Sequence, residues 1–159
     1  MRRSVITLLI MCILLNFAGC IPSEEPSYTF YYLRTSETIQ HGSADALVAP
    51  VTMDISTPNA ELDYLLQLYL DGPTKANYVN PVPSGTYLLS ALWEDDILVL
   101  VLSREFSQLN NIRLTLAGCC LAATCHALTG AEAIQIRSGE AIYNFTINDC
   151  IFLDESTGK

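Results

Sequence analysis

Residues 65–106 read LLQLYLDGPTKANYVNPVPSGTYLLSALWEDDILVLVLSREF, and this stretch decides the fold. Leu62, just upstream, joins Leu65, Leu66, Tyr69 and Leu70 at i, i+3, i+4, i+7 and i+8, the apolar stripe of an amphipathic helix. Thr57-Pro58 offers that helix a capping residue and a first-turn proline. Asp71-Gly72-Pro73 ends it, because glycine takes the left-handed position and proline cannot continue the helix. Residues 74–85, rich in Pro, Gly and Asn, form a loop. Thr86–Trp93 and Ile97–Ser103 then read as two strands joined across Glu94-Asp95-Asp96, a β-hairpin whose second aspartate would have to take positive φ. ILVLVL is apolar on both faces, which predicts a central, covered strand.

Outward from this stretch the pattern is consistent. Tyr28–Arg34 (YTFYYLR) is aromatic and branched, a strand signal. Leu47–Ile55 is extended in character, with Pro50 pointing to an edge. Downstream, Asn110 or Asn111 caps a second helix that runs to about Thr129 and closes at Gly130. Ile112, Leu116, Cys119, Cys120, Ala123 and Ala127 form one stripe of that helix, and Leu114, Leu121, Cys125 and Leu128 another on the opposite side. A helix apolar all round is buried or meets a second surface. The C-terminal segment with Cys150, the first helix or a partner molecule would have to shield the Leu121 side, and cover from the chain itself is favoured. Strands over 131–138 and 142–153 complete an α+β domain, read as a small mixed or antiparallel sheet with two helices packed on one face. Leu62, Leu66, Tyr69, Leu98, Leu100, Leu116 and Ala123 are its expected core.

These motifs, in this order, resemble the GerMN domain of sporulation and spore-germination lipoproteins. Leu65-Leu66 leads into Gly72-Pro73, then Pro81-Val82-Pro83-Ser84-Gly85-Thr86, then a hairpin ending in Leu102-Ser103-Arg104-Glu105-Phe106. Leu47-Val48-Ala49-Pro50-Val51 matches the segment before the family's first helix, and Ala127-Leu128-Thr129 with Ala133-Ile134-Gln135-Ile136 matches the last helix and strand. The resemblance spans about residues 28–140 and leaves 141–159 as a C-terminal extension with an extra strand. Departures are the Asp95-Asp96 turn where glycine is usual, Val99-Leu100-Val101 where Val-Asp is common, and a cysteine-rich helix. The resemblance implies a fold like the ring-building domains of secretion and sporulation machinery. It also implies a structural or assembly role, with no catalytic residues to carry over.

The N-terminus carries an address. Met1-Arg2-Arg3, an apolar run over Val5–Leu15 and small residues before Cys20 describe a secretory signal, and the run is short of the roughly 20 apolar residues that span a bilayer. Ala18-Gly19-Cys20 resembles a bacterial lipobox, with Phe17 where leucine is usual; the resemblance implies a diacylglyceryl group on Cys20. The expected organisation is a signal peptide over 1–19, a tether over 20–27 and the domain beyond, held to the lipid bilayer on the extracytoplasmic face of the cell membrane. Removing Arg2 and Arg3 with the signal leaves 6 basic residues against 17 acidic ones, a net charge of −11. Such a surface repels nucleic acid, which is excluded as a partner.

Candidate chemical constellations are weak. Cys119-Cys120, Cys125-His126 suggests a metal, but on a helix Cys119 and Cys125 lie about 120° apart and cannot converge as tetrahedral zinc requires. Buried thiols are the first reading, and a disulfide from Cys150 to Cys119, Cys120 or Cys125 is the alternative. Cys125 and His126 are helix neighbours that do not face one another, so they form no catalytic dyad. His41 is a loop residue, Glu94-Asp95-Asp96 lacks the alternating ligands of a calcium loop, and Ser84-Gly85 has no nucleophile-elbow pattern. Tyr28, Phe30, Tyr31 and Tyr32 read as core and cross-strand pairs. The sequence thus predicts no enzyme, cofactor or metal. It predicts a protein-interaction module with other proteins or copies of itself as partners, with a cell-surface small-ligand binder as the alternative.

Overall fold

The computed structural model describes residues 26–35, 47–57 and 59–150. The signal segment, Cys20, His41, Pro58 and residues 151–159 lie outside the described residues. Alternation in SYTFYYLR sends Phe30 and Tyr32 to one buried face of β1 (Ser27–Arg34). β2 (Val48–Asp54) pairs antiparallel with it, Tyr31 opposite Pro50. Because β2 is an edge strand, Pro50 breaks no ladder.

The helix stripe is present as α1 (Leu62–Asp71), with Leu65, Leu66 and Tyr69 buried. It starts later than Thr57-Pro58 suggests: Asn59 has φ 55, a turn that delays the helix, and Glu61 takes the N-cap without a side-chain bond. Gly72 closes α1, with φ 101 and its N–H donated to Tyr69 O. In the loop that follows, β3 (Tyr78–Val79) pairs with Leu33 and Arg34 and completes a sheet of order β2-β1-β3.

The hairpin is β4 (Leu88–Glu94) and β5 (Ile97–Leu102). Its turn places the positive φ on Asp95, at 53, the first residue and not the second. From β5 the chain passes through α2 (Asn111–Thr129) to β6 (Ala133–Ser138), which lies parallel to β5. β7 (Ala141–Thr146) then pairs antiparallel, and a 3-10 turn over Ile147–Asp149 follows in place of further strand. The second sheet has the order β4-β5-β6-β7, so ILVLVL is central as its composition predicts.

The fold class is therefore α+β, with two sheets in place of the single one expected from the element order. Both helices lie on the face of the four-stranded sheet that carries Leu98, Leu100, Leu102, Ile134 and Ile136, and all join one core. Tyr69 of α1 stacks on Tyr32 at 5.0 Å and on Phe30 at 6.5 Å, which ties that core to the three-stranded sheet. Of the expected core, Leu66, Tyr69, Leu98, Leu100 and Ala123 are buried. Leu62 and Leu116 sit at its margin and are half-buried.

The doubly apolar α2 is shielded by the chain itself, as expected, partly by the C-terminal segment that the sequence offered and partly by β1, which it did not. β1 packs along it on one side, with β6, β7 and the last 3-10 turn on the other. β3 is only two residues long, so it leaves much of one edge of β1 unpaired by strand, and the fully buried Thr124 hydroxyl accepts the Tyr31 N–H there at 2.9 Å. On the other side Gly118 lets the helix approach the Phe145 ring. The N-cap position of α2 is Asn110, without a side-chain capping bond. Gly130, in the left-handed region at φ 78, closes the helix through the His126 carbonyl.

Candidate functional site

The motifs that marked the family come together as folding devices around one loop. Asn80 holds it: its Nδ2 donates to Tyr69 O at 2.8 Å and Leu70 O at 3.3 Å, and its Oδ1 accepts Val82 N–H at 3.0 Å. The last carbonyls of α1 are thereby satisfied by a side chain. Gln67 fastens the helix to the hairpin, accepting Leu88 N–H at 3.1 Å and donating to Asp71 Oδ1 at 3.0 Å. Ser103 brackets Tyr87, its Oγ accepting Tyr87 N–H at 3.1 Å and its N–H donating to Tyr87 O at 3.0 Å. Ser138 Oγ donates to Ser103 O at 2.7 Å and accepts Ser107 N–H at 3.1 Å, while Phe106 plugs the core.

Between the end of α1 and this loop lies a cleft of about 680 Å³. Its walls include Asp71, Tyr78, Ser84, Thr86 and Tyr87. Thr86 is buried, and its hydroxyl has no hydrogen-bond partner among the described residues. Asp71 is the one charged residue of the lining. Sequence reading passed over this site, although an aspartate in the last turn of a helix, against its dipole, is a signal that was there to be used.

The second surface is the face of the four-stranded sheet opposite the helices. Register places Leu92, Ile97, Val99, Arg137 and Ile142 on it. Leu92, Ile97 and Ile142 are exposed, whereas Val99 is 1% exposed. The reason is a bidentate ion pair, Arg137 to Glu94 at 2.8 and 2.5 Å, which crosses β5 above Val99. The hydrogen bond and charge of Arg137 lower the Glu94 carboxyl below its usual range.

The other sequence candidates are placed apart from any shared centre. Cys119, Cys120 and Cys125 are thiols, and Cys150 Sγ lies 3.4 Å from Thr146 O. Burial pushes the Cys125 thiol up to about 12. Burial, with Cys119 and Cys150 as neighbours, raises Cys120 further. Cys125 faces the core, whereas His126 is exposed and its Nδ1 lies 3.1 Å from Ala131 O, so the two form no dyad. Among the described residues no group of three or more His, Cys, Asp or Glu side chains is placed to hold a metal. Glu94 is engaged by Arg137. Phe30 and Tyr32 are core, not a stacking platform.

Comparison with known proteins agrees with this architecture. The family model Germane, described as sporulation and spore germination, matches residues 29–141. No curated protein sequence matches the chain. Among solved structures, the first GerMN domain of the sporulation protein GerM from Bacillus subtilis superposes with a TM-score of 0.56 at 14% identity, covering 74% of this chain and 86% of that one. A candidate lipoprotein from Clostridium perfringens gives a TM-score of 0.40 at 19% identity, covering 78% and 89%. With the family model matching residues 29–141 and a GerMN domain sharing the fold, the chain belongs to the Germane family of sporulation and spore-germination domains.

Proposed function

We propose that this protein is a lipoprotein, anchored through Cys20 on the outer face of the cytoplasmic membrane, whose Germane domain acts as an assembly module in sporulation or spore germination. The observation that carries the interaction role is the helix-free sheet face. Leu92, Ile97 and Ile142 stand exposed there around a polar bridge, and exposed apolar surface of that kind marks protein contact more often than catalysis. The candidate dyad supports a binding role over catalysis, since Cys125 faces the core while His126 is exposed. The N-terminal residues support the anchor, since Cys20 follows a charged start, an apolar run and Ala18-Gly19. A second lipid signal beyond a single acyl chain is what makes such anchoring stable, and diacylglycerol supplies two chains.

The test uses the tagged full-length chain in sporulating cells of its host. Affinity capture should bring down one or more envelope proteins, and Leu92→Glu combined with Ile142→Glu should lose them while the domain stays folded. Cys20→Ala should leave an unprocessed or misplaced precursor. Partner capture undiminished by the two glutamates would remove the sheet face from the reading. Processing of the Cys20→Ala variant like the wild type would remove the anchor.

A further inference from the structure

We propose that the cleft at the carboxyl end of α1 binds an alkylammonium group, with the Asp71 carboxylate as counter-ion and the Tyr78 and Tyr87 rings as its aromatic walls. This goes beyond the assembly role and rests on different residues from the sheet face.

The charge pattern of the cleft is one-sided. Asp71 is its single charged side chain, and no lysine, arginine or histidine lines it. Lys75, four residues on, is not part of the wall. The last turn of α1 holds no basic residue, so the negative end of the helix dipole is uncompensated there by charge. Asp71 adds to that negative potential rather than opposing it, which costs local helix stability. Its carboxylate is held in place, because Gln67 Nε2 donates to Oδ1 while Gln67 Oε1 is itself fixed by Leu88 N–H. Among the described residues, Gln67 is the side chain that engages this carboxylate, and it does so through one oxygen.

The remaining lining suits an organic cation better than a metal ion. Asp71 is the single carboxylate of the lining, whereas calcium sites gather several charged oxygens, and Tyr78 and Tyr87 add aromatic surface that a metal ion would not use. Tyrosine faces attract ammonium groups, and aromatic cages are a recurring way of reading them. Tyr87 is 53% exposed, and its backbone is bracketed by Ser103, so the ring is presented from a fixed base. The cleft, at about 680 Å³, is within the usual range for small-ligand sites and far larger than an ammonium group needs. It therefore accommodates the stem that carries the group. The same chemistry is offered by a lysine side chain on a partner protein and by a free small amine.

The experiment is a titration of the ¹⁵N-labelled full-length chain in detergent solution, read by amide chemical shifts. Three probes separate the cases: the peptide Ac-Gly-Lys-Gly-amide, its norleucine counterpart, and butylammonium. The lysine peptide should shift amides of the Asp71–Pro73 and Ser84–Tyr87 segments, and the norleucine peptide should not. A lysine peptide stronger than butylammonium assigns the group to a protein partner; the reverse assigns it to a small amine. Asp71→Asn should weaken binding about 3-fold or more, in line with an exposed ion pair, whereas Asp63→Asn at the other end of α1 should not. Tyr87→Ala should weaken it by about 2- to 5-fold, a second measure that does not depend on how Asp71→Asn folds. Equal shifts with norleucine, shifts spread over all acidic surface, no shifts at all, or Asp63→Asn weakening binding as much as Asp71→Asn would each overturn the proposal.

Discussion

Gly118 sits where α2 meets the Phe145 ring, and Gly118→Ala tests whether that contact sets the spacing between helix and sheet. A methyl group built on Gly118 overlaps Cζ, Cε1 and Cε2 of Phe145. Carbon atoms keep about 3.5–4.0 Å apart, so the ring must withdraw by roughly 1–2 Å. Two effects oppose each other. Alanine in a helix interior is better than glycine by up to about 1 kcal/mol. Overpacking at a filled contact costs about 1–3 kcal/mol, here paid by a ring that is already half-buried and can swing outward. The clash wins by about 1 kcal/mol, and Gly118→Ala destabilises the domain. In a Phe145→Ala background the overlap is gone and the helix preference remains, so the same substitution should stabilise. Urea unfolding followed by circular dichroism on the four members of the cycle measures this, with a coupling of about 1–3 kcal/mol expected. A Gly118→Ala effect that is the same in both backgrounds, or a stabilisation in the wild type, would refute the reasoning.

Other outcomes follow from single groups. Tyr69 is wholly buried with a hydroxyl lacking a partner among the described residues, so Tyr69→Phe should be neutral or stabilise by up to about 1–2 kcal/mol in urea unfolding. Tyr32→Phe instead removes the donor to Tyr69 O at 3.3 Å and should cost about 0.5–1.5 kcal/mol. Asp95→Gly relieves the positive φ of the hairpin turn and should raise stability by roughly 0.5–1 kcal/mol, with Glu94→Gly as the control that does not. Burial raises the Cys125 thiol to about 12, so its stabilising contribution is complete below the unfolded value of about 8.5 and is lost as pH rises toward 12. The urea midpoint should therefore hold level to about pH 8.5 and fall above it, less steeply in Cys125→Ala; a midpoint flat to pH 10.5 contradicts this. Site-resolved alkylation of the native chain at pH 8 should modify the half-buried Cys119 well before Cys120 or Cys125.

What the sequence made legible was chemistry that acts over a few residues. Gly72 and Gly130 closed their helices where their flexibility allows it, and ILVLVL was central because both its faces are apolar. The start of α1 was misread because Asn59 turns the chain after a proline that looked like a first helical residue. The division into two sheets was not readable at all. Periodicity says that YTFYYL is a strand, but nothing local names its partners Val48–Asp54 and Tyr78–Val79, which pair with it across long stretches of chain. The part of the cover over α2 that β1 supplies escaped for the same reason, since nothing near Thr124 announces a strand edge 93 residues earlier. Of the candidate sites, the cysteines were read as buried thiols, the first of the two readings kept open. The cleft was overlooked because its residues come from three segments that only the Asn80 loop gathers.

The bond from Tyr31 to Thr124 also has a kinetic side. β1 is synthesised early, and the helix that finishes its edge follows 93 residues later. Ordering that contact closes a long loop before it is rewarded, which places the domain among slow, nonlocal folders. In the interval the newly made YTFYYL segment presents aromatic side chains and unpaired N–H groups together, the combination that recruits other strands. A chain cut short before α2 is therefore expected to aggregate rather than rest as a stable half-domain. The period of greatest risk ends when Thr124 reaches β1.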